Sequence, residues 1–260
     1  MELNILGNNT ARSRQAQAAF LAQAVDRKTD VILLQEPAVL EAQNKVTISP
    51  DGYEMYSPSE DWGKERPRSL TFVKTGLRAK ALERRTRDVT GVEVEGVKVF
   101  NVYVHPEEKN EGPTAEAVRN IPTGGRDVVV MGDFNRSFRW NRGRAQRSIT
   151  LDKWAAGLNL LSDAETPTRG TATLDFVFSN VAGASGGLDE MQSGSDHGVM
   201  WARTALVGRK SFRTRTKVNV QKCKEQWDQE GESLAEWTDR LAKVVKANSV
   251  EKRTAVKETP

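Results

Sequence analysis

Val128-Val129-Val130-Met131-Gly132-Asp133-Phe134-Asn135 is the stretch that decides how this chain is read. Four apolar residues in a row predict a strand buried on both faces, and Gly132 is expected to let the chain turn so that Asp133 and Asn135 emerge at the strand's C-terminal end. Two polar side chains would then be aimed at one spot. Alone, the pattern equally describes a strand running into a solvated Asp/Asn turn, because turns favour these residues. Other strand ends in the chain tip the balance.

Upstream, Val31-Ile32-Leu33-Leu34-Gln35-Glu36-Pro37 repeats the theme: a buried strand, a carboxylate at its end, and a proline that closes it. The N-terminal residues alternate as a strand with Leu3, Ile5 and Leu6 inward, stopping at Gly7-Asn8-Asn9. A helix over residues 11–27 follows, with Ala16, Phe20, Leu21, Ala24 and Val25 on one stripe. Short strands at 53–56, 69–74, 89–94 and 97–104 predict an antiparallel stretch, with Gly91 and Gly96 punctuating the last two as a hairpin. The final one delivers Asn101, Tyr103 and His105. A helix over 113–120 leads back to the deciding strand.

Downstream, Arg136, Arg139, Arg142, Arg144 and Arg147 follow without an intervening acid, and Trp140 lies among them. A basic loop carrying an aromatic ring suits a polyanion, although charge runs are often only solvated faces. Residues 151–161 read as a short amphipathic helix and turn. A loop at 166–170 precedes a strand at 174–178 that carries Asp175 on its polar face. The Gly/Ser-rich segment 183–195 reads as a loop ending in Ser195-Asp196-His197, and 199–205 as the last strand of the globular part.

The 260 residues, 37% hydrophobic, suffice for one sizeable core with a tail. Residues 206–260 hold 13 Lys/Arg against 8 Asp/Glu, leaving 26 against 27 for the rest, so the basic excess belongs to the tail. Its first part, 209–224, is expected to be an exposed linker. Ser233-Leu234-Ala235-Glu236 then resembles a capping box opening an amphipathic helix with Leu234, Trp237, Leu241 and Val244, and the last dozen residues are expected to be disordered. A single cysteine, Cys223, leaves no intrachain disulfide and fits a reducing compartment. Apolar runs four residues long predict neither a signal peptide nor a membrane span, so the expected location is intracellular, nuclear or cytoplasmic.

Glu36, Asp133, Asp175 and Asp196 all fall at or near strand ends, together with Asn9, Asn135 and His197. Carboxylates gathered in one place repel unless a cation neutralises them, and oxygen ligands suit Mg²⁺ or Mn²⁺ rather than zinc. A hard metal beside Asp, His and a basic surface is equipment for phosphodiester hydrolysis.

Gln35-Glu36, Asn101-Val102-Tyr103, Gly132-Asp133-Phe134-Asn135, Leu174-Asp175-Phe176 and Ser195-Asp196-His197, in that order, resemble the motifs of the exonuclease-endonuclease-phosphatase superfamily. Within it, the chain is most similar to the apurinic-like endonuclease domain of non-LTR (LINE-type) retrotransposons. That likeness is carried by Ile5-Leu6-Gly7-Asn8-Asn9, Ala11-Arg12-Ser13-Arg14, Leu34-Gln35-Glu36-Pro37, the segment from Arg66 to Val73, and Thr166-Pro167-Thr168-Arg169. The resemblance implies a DNase I-like α/β fold, a four-layer α/β/β/α sandwich over residues 1–205. Residues 206–260 would be a linker and helix leading toward a reverse transcriptase absent from this chain, which would make it an excised domain or a truncated reading frame.

The resemblance further implies a Mg²⁺-dependent endonuclease that nicks DNA and leaves a 3′ hydroxyl to prime reverse transcription. Glu36 and Asp196 would bind metal, and Asp133 would activate water positioned by Asn135. Asn9 and Tyr103 would contact phosphate oxygens or metal-bound water, and His197, oriented by Asp175, would stabilise the transition state. Asn4 competes with Asn9 for its role. Thr168 and Ser195 would touch substrate, and the loop arginines Arg136, Arg139, Arg142 and Arg144 are the expected phosphate contacts. An abasic-site repair enzyme, a small-molecule phosphoesterase and an inactive binding module are the alternatives. Loops that select DNA differ here between residues 53 and 73 and after Thr168, so target preference does not transfer.

Overall fold

The computed structural model describes residues 2–82, 86–108, 112–124, 127–138 and 147–205, and the strand backbone of 212–218 and 249–255. In chain order the elements begin with β1 (Glu2–Asn9), α1 (Arg14–Asp26), β2 (Val31–Gln35), β3 (Val39–Leu40), β4 (Lys45–Val46), β5 (Tyr53–Tyr56) and β6 (Ser69–Lys74). Then come β7 (Ala79–Ala81), β8 (Val89–Val94), β9 (Val97–Tyr103), α2 (Pro113–Arg119), β10 (Val128–Asp133) and α3 (Ile149–Ala155). The remainder is β11 (Asn159–Leu160), β12 (Asp175–Ser179), β13 (Ser185–Leu188), β14 (Met200–Ala205), β15 (Phe212–Val218) and β16 (Ser249–Ala255).

The chain divides into two units, Met1–Leu206 and Val207–Pro260. The first holds two six-stranded sheets, ordered β13-β14-β1-β2-β6-β5 and β11-β12-β10-β9-β8-β7. Each is built around one parallel pair, β1 with β2 and β10 with β9, flanked by antiparallel neighbours. The two halves therefore repeat the same local plan.

The period of two along each buried strand sends its side chains to different layers. From β10, Val129 and Met131 enter the space between the sheets beside Leu3, Ile5, Val31 and Leu33. Val128 and Val130 turn the other way, onto Val118 of α2 and Leu151 and Trp154 of α3. On the far side, Ile32, Leu34 and Phe72 meet Phe20, Leu21 and Ala24 of α1. The layers are thus α/β/β/α, and each fully buried Leu, Ile or Phe contributes roughly 1.5–3 kcal/mol by leaving water.

Several local expectations are corrected. The helix begins at Arg14 rather than residue 11, because Ala11 and Arg12 lie at φ 48 and 60 and Ser13 caps the first turn by accepting from the Ala16 amide at 3.1 Å. Val25 is only half-buried. β1 runs on through Gly7, Asn8 and Asn9, and Leu6 faces α1 rather than the opposite sheet. The antiparallel stretch crosses the sandwich, with β5 and β6 in one sheet and β8 and β9 in the other. Gly91 lies inside β8, where an added Cβ would sit 2.9 Å from Phe100, whereas Glu95-Gly96, at φ 47 and 87, forms the hairpin turn. β12 has no polar face, being buried throughout, and β13 occurs where a loop was expected.

In the second unit β15 pairs antiparallel with β16, from Phe212↔Ala255 to Val218↔Ser249. Strands thus replace part of the expected linker and of the expected disordered end. The helix expected near residues 233–244 lies outside the described residues.

Candidate active site

The C-terminal ends of the two parallel pairs bring the functional side chains together. β1 ends at Asn9 beside Gln35 of β2, and β10 ends at Asp133 beside Tyr103 of β9. Asp175 opens β12 directly opposite Asp133. Gly132 does not turn the chain. It lies within β10 at φ 152, and a Cβ there would stand 1.9 Å from the Val102 carbonyl oxygen, so glycine is what allows β9 to close against the residue before Asp133. The turn falls at Asn135, at φ 45, and Phe134 is locked in an edge-to-face cluster with Phe138, Phe176 and Phe178.

Asp133 is fully buried and sits at the centre. Its Oδ2 accepts from Asn9 Nδ2 at 2.8 Å and from Asn135 Nδ2 at 2.9 Å, while its Oδ1 accepts from the Asn135 amide at 2.9 Å. His197 Nε2 is 3.8 Å from the same Oδ2, and on its far side His197 Nδ1 meets Asp175 Oδ2 at 2.9 Å. The imidazole is therefore held between two carboxylates. Burial, and then the charge of Asp175, push Asp133 above the ordinary carboxylate range. Burial opposes the imidazolium of His197, but the Asp175 hydrogen bond and the charges of Asp175 and Asp133 outweigh it and carry the ring up to about 9. Burial, then the charges of Glu36 and Asp133, raise Tyr103 as well, which places those three groups in one field.

Glu36 lies just past β2 at φ 44 and pairs with Arg12 at 3.0 Å. Four non-glycine residues with positive φ, Ala11, Arg12, Glu36 and Asn135, gather around this site, where strain is commonly stored. Asn9 occupies the site, whereas Asn4 lies near the strand's other end, with its amides on Asp30.

Other expected residues stand elsewhere. Asp196 is exposed and paired with Arg169 at 2.7 Å, outside the buried cluster, because the turn before His197 points it to solvent. Arg136 is buried to 1% exposure and donates to the carbonyls of Asn135, His105, Pro106 and Glu108, so it staples loops instead of facing a phosphate. Thr168 is a buried staple, its Oγ1 accepting from the Leu174 and Asp175 amides at 3.0 Å each. Ser195 Oγ donates to the Asn9 carbonyl at 2.5 Å and accepts from the His197 amide at 3.2 Å. Both hydroxyls position the cluster. Arg139, Arg142 and Arg144 lie outside the described residues.

Sequence reasoning gave no role to four contributors. Gln35 Nε2 donates to Asn101 Oδ1 at 2.6 Å, and Asn101 Nδ2 donates to the Leu34 and Leu70 carbonyls, tying the sheets together below the site. Asn8 and Ser193 hold the loop that carries His197. For Asn101 the available signal was a polar residue inside an apolar run.

Among the described residues, Asp133, Asp175 and His197 present ligand atoms within 4.8 Å of one another. Two buried carboxylates offset within this cluster by one imidazole form an anionic, oxygen-rich donor set, which fits a hard divalent cation. Such a cation would polarise a phosphoryl oxygen and lower the pKa of a bound water.

The sandwich of two sheets and the buried Asp-His-Asp cluster at converging strand ends fit a phosphoesterase. The chain belongs to the Endonuclease/Exonuclease/phosphatase family, which it matches over residues 1–197, and whose members are metal-using phosphodiesterases and nucleases. No curated protein matches it in sequence. Among solved structures it is similar to the endonuclease domain of TRAS1, a telomere-specific non-LTR retrotransposon, with TM-score 0.62 and 18% identity over 80% of this chain and 100% of that one. The catalytic domain of Xenopus laevis APE2 follows at TM-score 0.54 and 16% identity, covering 76% and 90%. An AP endonuclease from Archaeoglobus fulgidus gives 0.51 and 11%, covering 77% and 98%. At these identities the likeness is one of fold. No helix among the described residues is long and apolar enough to cross a membrane.

Proposed function

We propose that this chain is a divalent-metal-dependent DNA endonuclease that nicks one strand and leaves a 3′ hydroxyl from which a reverse transcriptase in the parent polyprotein primes synthesis. The observation that carries this reading is the buried Asp133, aligned by two asparagine amides and facing an imidazole that Asp175 keeps protonated. The TRAS1 likeness in fold supports the retroelement setting, as do the sequence motifs shared with that group. In this reading the protein acts in the nucleus or the cytoplasm.

Asp133 takes the proton from the attacking water, and its raised proton affinity suits it to that task near neutral pH. Asn9 and Asn135 fix the carboxylate by occupying Oδ2, and the lone pair left free is on Oδ1. His197 presents a protonated Nε2 to the phosphoryl oxygen on which charge accumulates, while Asp175 holds Nδ1 and the ring plane. Glu36, which shares the field around Tyr103 with Asp133, is the carboxylate that would hold Mg²⁺ or Mn²⁺ beside the protonated His197. Arg139, Arg142 and Arg144 contact backbone phosphates and supply affinity without sequence preference.

The test is the product. Nicked plasmid that a polymerase extends directly carries a 3′ hydroxyl and supports the proposal. Turnover confined to abasic duplex or to small phosphomonoesters would replace it with repair or phosphatase activity.

A further inference from the structure

β1 ends in two asparagines whose side chains leave opposite faces of the strand, as the pleat requires. Asn9 reaches the space between the sheets and binds Asp133 at 2.8 Å. Asn8 reaches the other face. The ladder of β1 with β14 stops at Gly7↔Met200, and beyond it the Asn8 side chain takes over. Its Nδ2 donates to the carbonyls of His197 and Gly198, at 3.1 Å each, which uses both amide hydrogens. Its Oδ1 accepts from Ser193 Oγ at 2.8 Å. Asn8 is 1% exposed and Ser193 5%, so these bonds have no competition from water.

Ser193 has a second partner that extends the clamp. Its Oγ accepts from the Ser195 amide at 3.2 Å, and Ser195 in turn accepts from the His197 amide. The loop carrying the imidazole is thus fastened through its own backbone, independently of the bond from Asp175 to the ring. Sequence order makes the arrangement economical: one strand end fixes Asp133 through Asn9 and His197 through Asn8.

We propose that Asn8, held in its rotamer by Ser193, is a positioning residue that sets the separation between His197 Nε2 and Asp133. The proposal rests on the reading of His197 as the imidazole that assists phosphodiester cleavage. Asn8 touches neither substrate nor cation and acts only through the loop backbone. A displacement of about 1 Å at a reacting group can cost a hundredfold in rate, so the clamp governs turnover rather than binding.

The experiment compares Asn8→Asp, Asn8→Ser, Ser193→Ala and the double variant Asn8→Ser/Ser193→Ala in the full chain. Asn8→Asp turns an acceptor toward two carbonyl oxygens, and Asn8→Ser removes the donors without adding charge. For nicking with Mg²⁺, kcat falls about ten- to a hundredfold in either Asn8 variant while KM moves little. Ser193→Ala causes a smaller loss, and adds nothing further to Asn8→Ser, because the two residues act in series. In the metal-free protein, the NMR signal of the His197 Nδ1 proton shared with Asp175 shifts or broadens in Asn8→Ser. A lowered melting temperature with wild-type kcat and an unmoved ring signal would make Asn8 merely structural and overturn the proposal. Should the wild-type chain cut no DNA, the proposed function fails, and the ring signal alone decides this inference: unmoved, it overturns it.

Discussion

Replacing Asp175 with asparagine keeps the shape of the site and removes one charge, which makes it the sharpest probe of the imidazole. The His197 ring is carried from 6.5 to about 9 against the penalty of burial, and the Asp175 hydrogen bond leads the causes that raise it. A rise of that size corresponds to roughly 3 kcal/mol in favour of the imidazolium. Without the Asp175 carboxylate only the charge of Asp133 still opposes burial, so the ring midpoint falls and a smaller share of molecules is protonated at neutral pH. Losing a hydrogen bond between charged groups costs about 1.5–3 kcal/mol, so kcat is expected to fall roughly ten- to a hundredfold. KM should change little, because Asp175 touches the ring and not the substrate. The assays are steady-state nicking across neutral and alkaline pH and an NMR titration of His197 in the metal-free protein. A variant with wild-type kcat at neutral pH and an unmoved ring midpoint would refute the reasoning.

Four further outcomes follow from the same coordinates. Gly132→Ala places a methyl group 1.9 Å from the Val102 carbonyl, so a loss of about 3 kcal/mol or more, or failure to fold, is expected in urea unfolding. Asn101→Leu removes three hydrogen bonds between the sheets, stranding Gln35 and the Leu34 and Leu70 carbonyls, and should cost about 2–4 kcal/mol in the same assay. Arg136→Lys loses the guanidinium fork that binds four carbonyls, so melting temperature should drop while the salt dependence of DNA binding stays as in the wild type; a flatter salt slope would show a phosphate contact instead. Asp133 and His197 both have folded pKa values above their ordinary ones, so the folded state binds the extra protons. Stability they supply is complete below the unfolded values and is lost as pH rises through the folded ones, so metal-free melting temperature should fall from pH 6.5 toward about 9. Mg²⁺ should flatten that fall by neutralising the ionised cluster, and a metal-free curve rising over the same range would contradict the assignment.

The layered fold was legible through the motif resemblance, with which the uninterrupted apolar runs of its buried strands were compatible. Val128 to Met131 and Val31 to Leu34 each alternate between two apolar layers, as a run does in any sheet covered on both faces. Asp133 and Asn135 stood out as polar residues after one of those runs, and Asn9, Asp175 and His197 through the motifs that carry them. What one sequence did not show was the company each keeps. Asp196 and His197 are adjacent, yet the backbone turn sends one to solvent and the other into the core. Arg136 looks like its neighbours in a basic run and is in fact buried among carbonyls, a fate set by loops far away in sequence. Gly132 carries a signal of special backbone, but a turn and a close strand approach write the same letter. β13 escaped notice because Gly186 and Gly187 form a short edge strand that fits against Trp201 with no apolar pattern to announce it.

Conversion of supercoiled plasmid to open circles in Mg²⁺, with an EDTA control and the Asp133→Ala and His197→Ala variants, tests the central claim most directly. The account predicts nicking that chelation abolishes and that both variants lose while remaining folded. Nicking that persists in Asp133→Ala, or a folded wild-type chain that leaves the plasmid supercoiled, would contradict it.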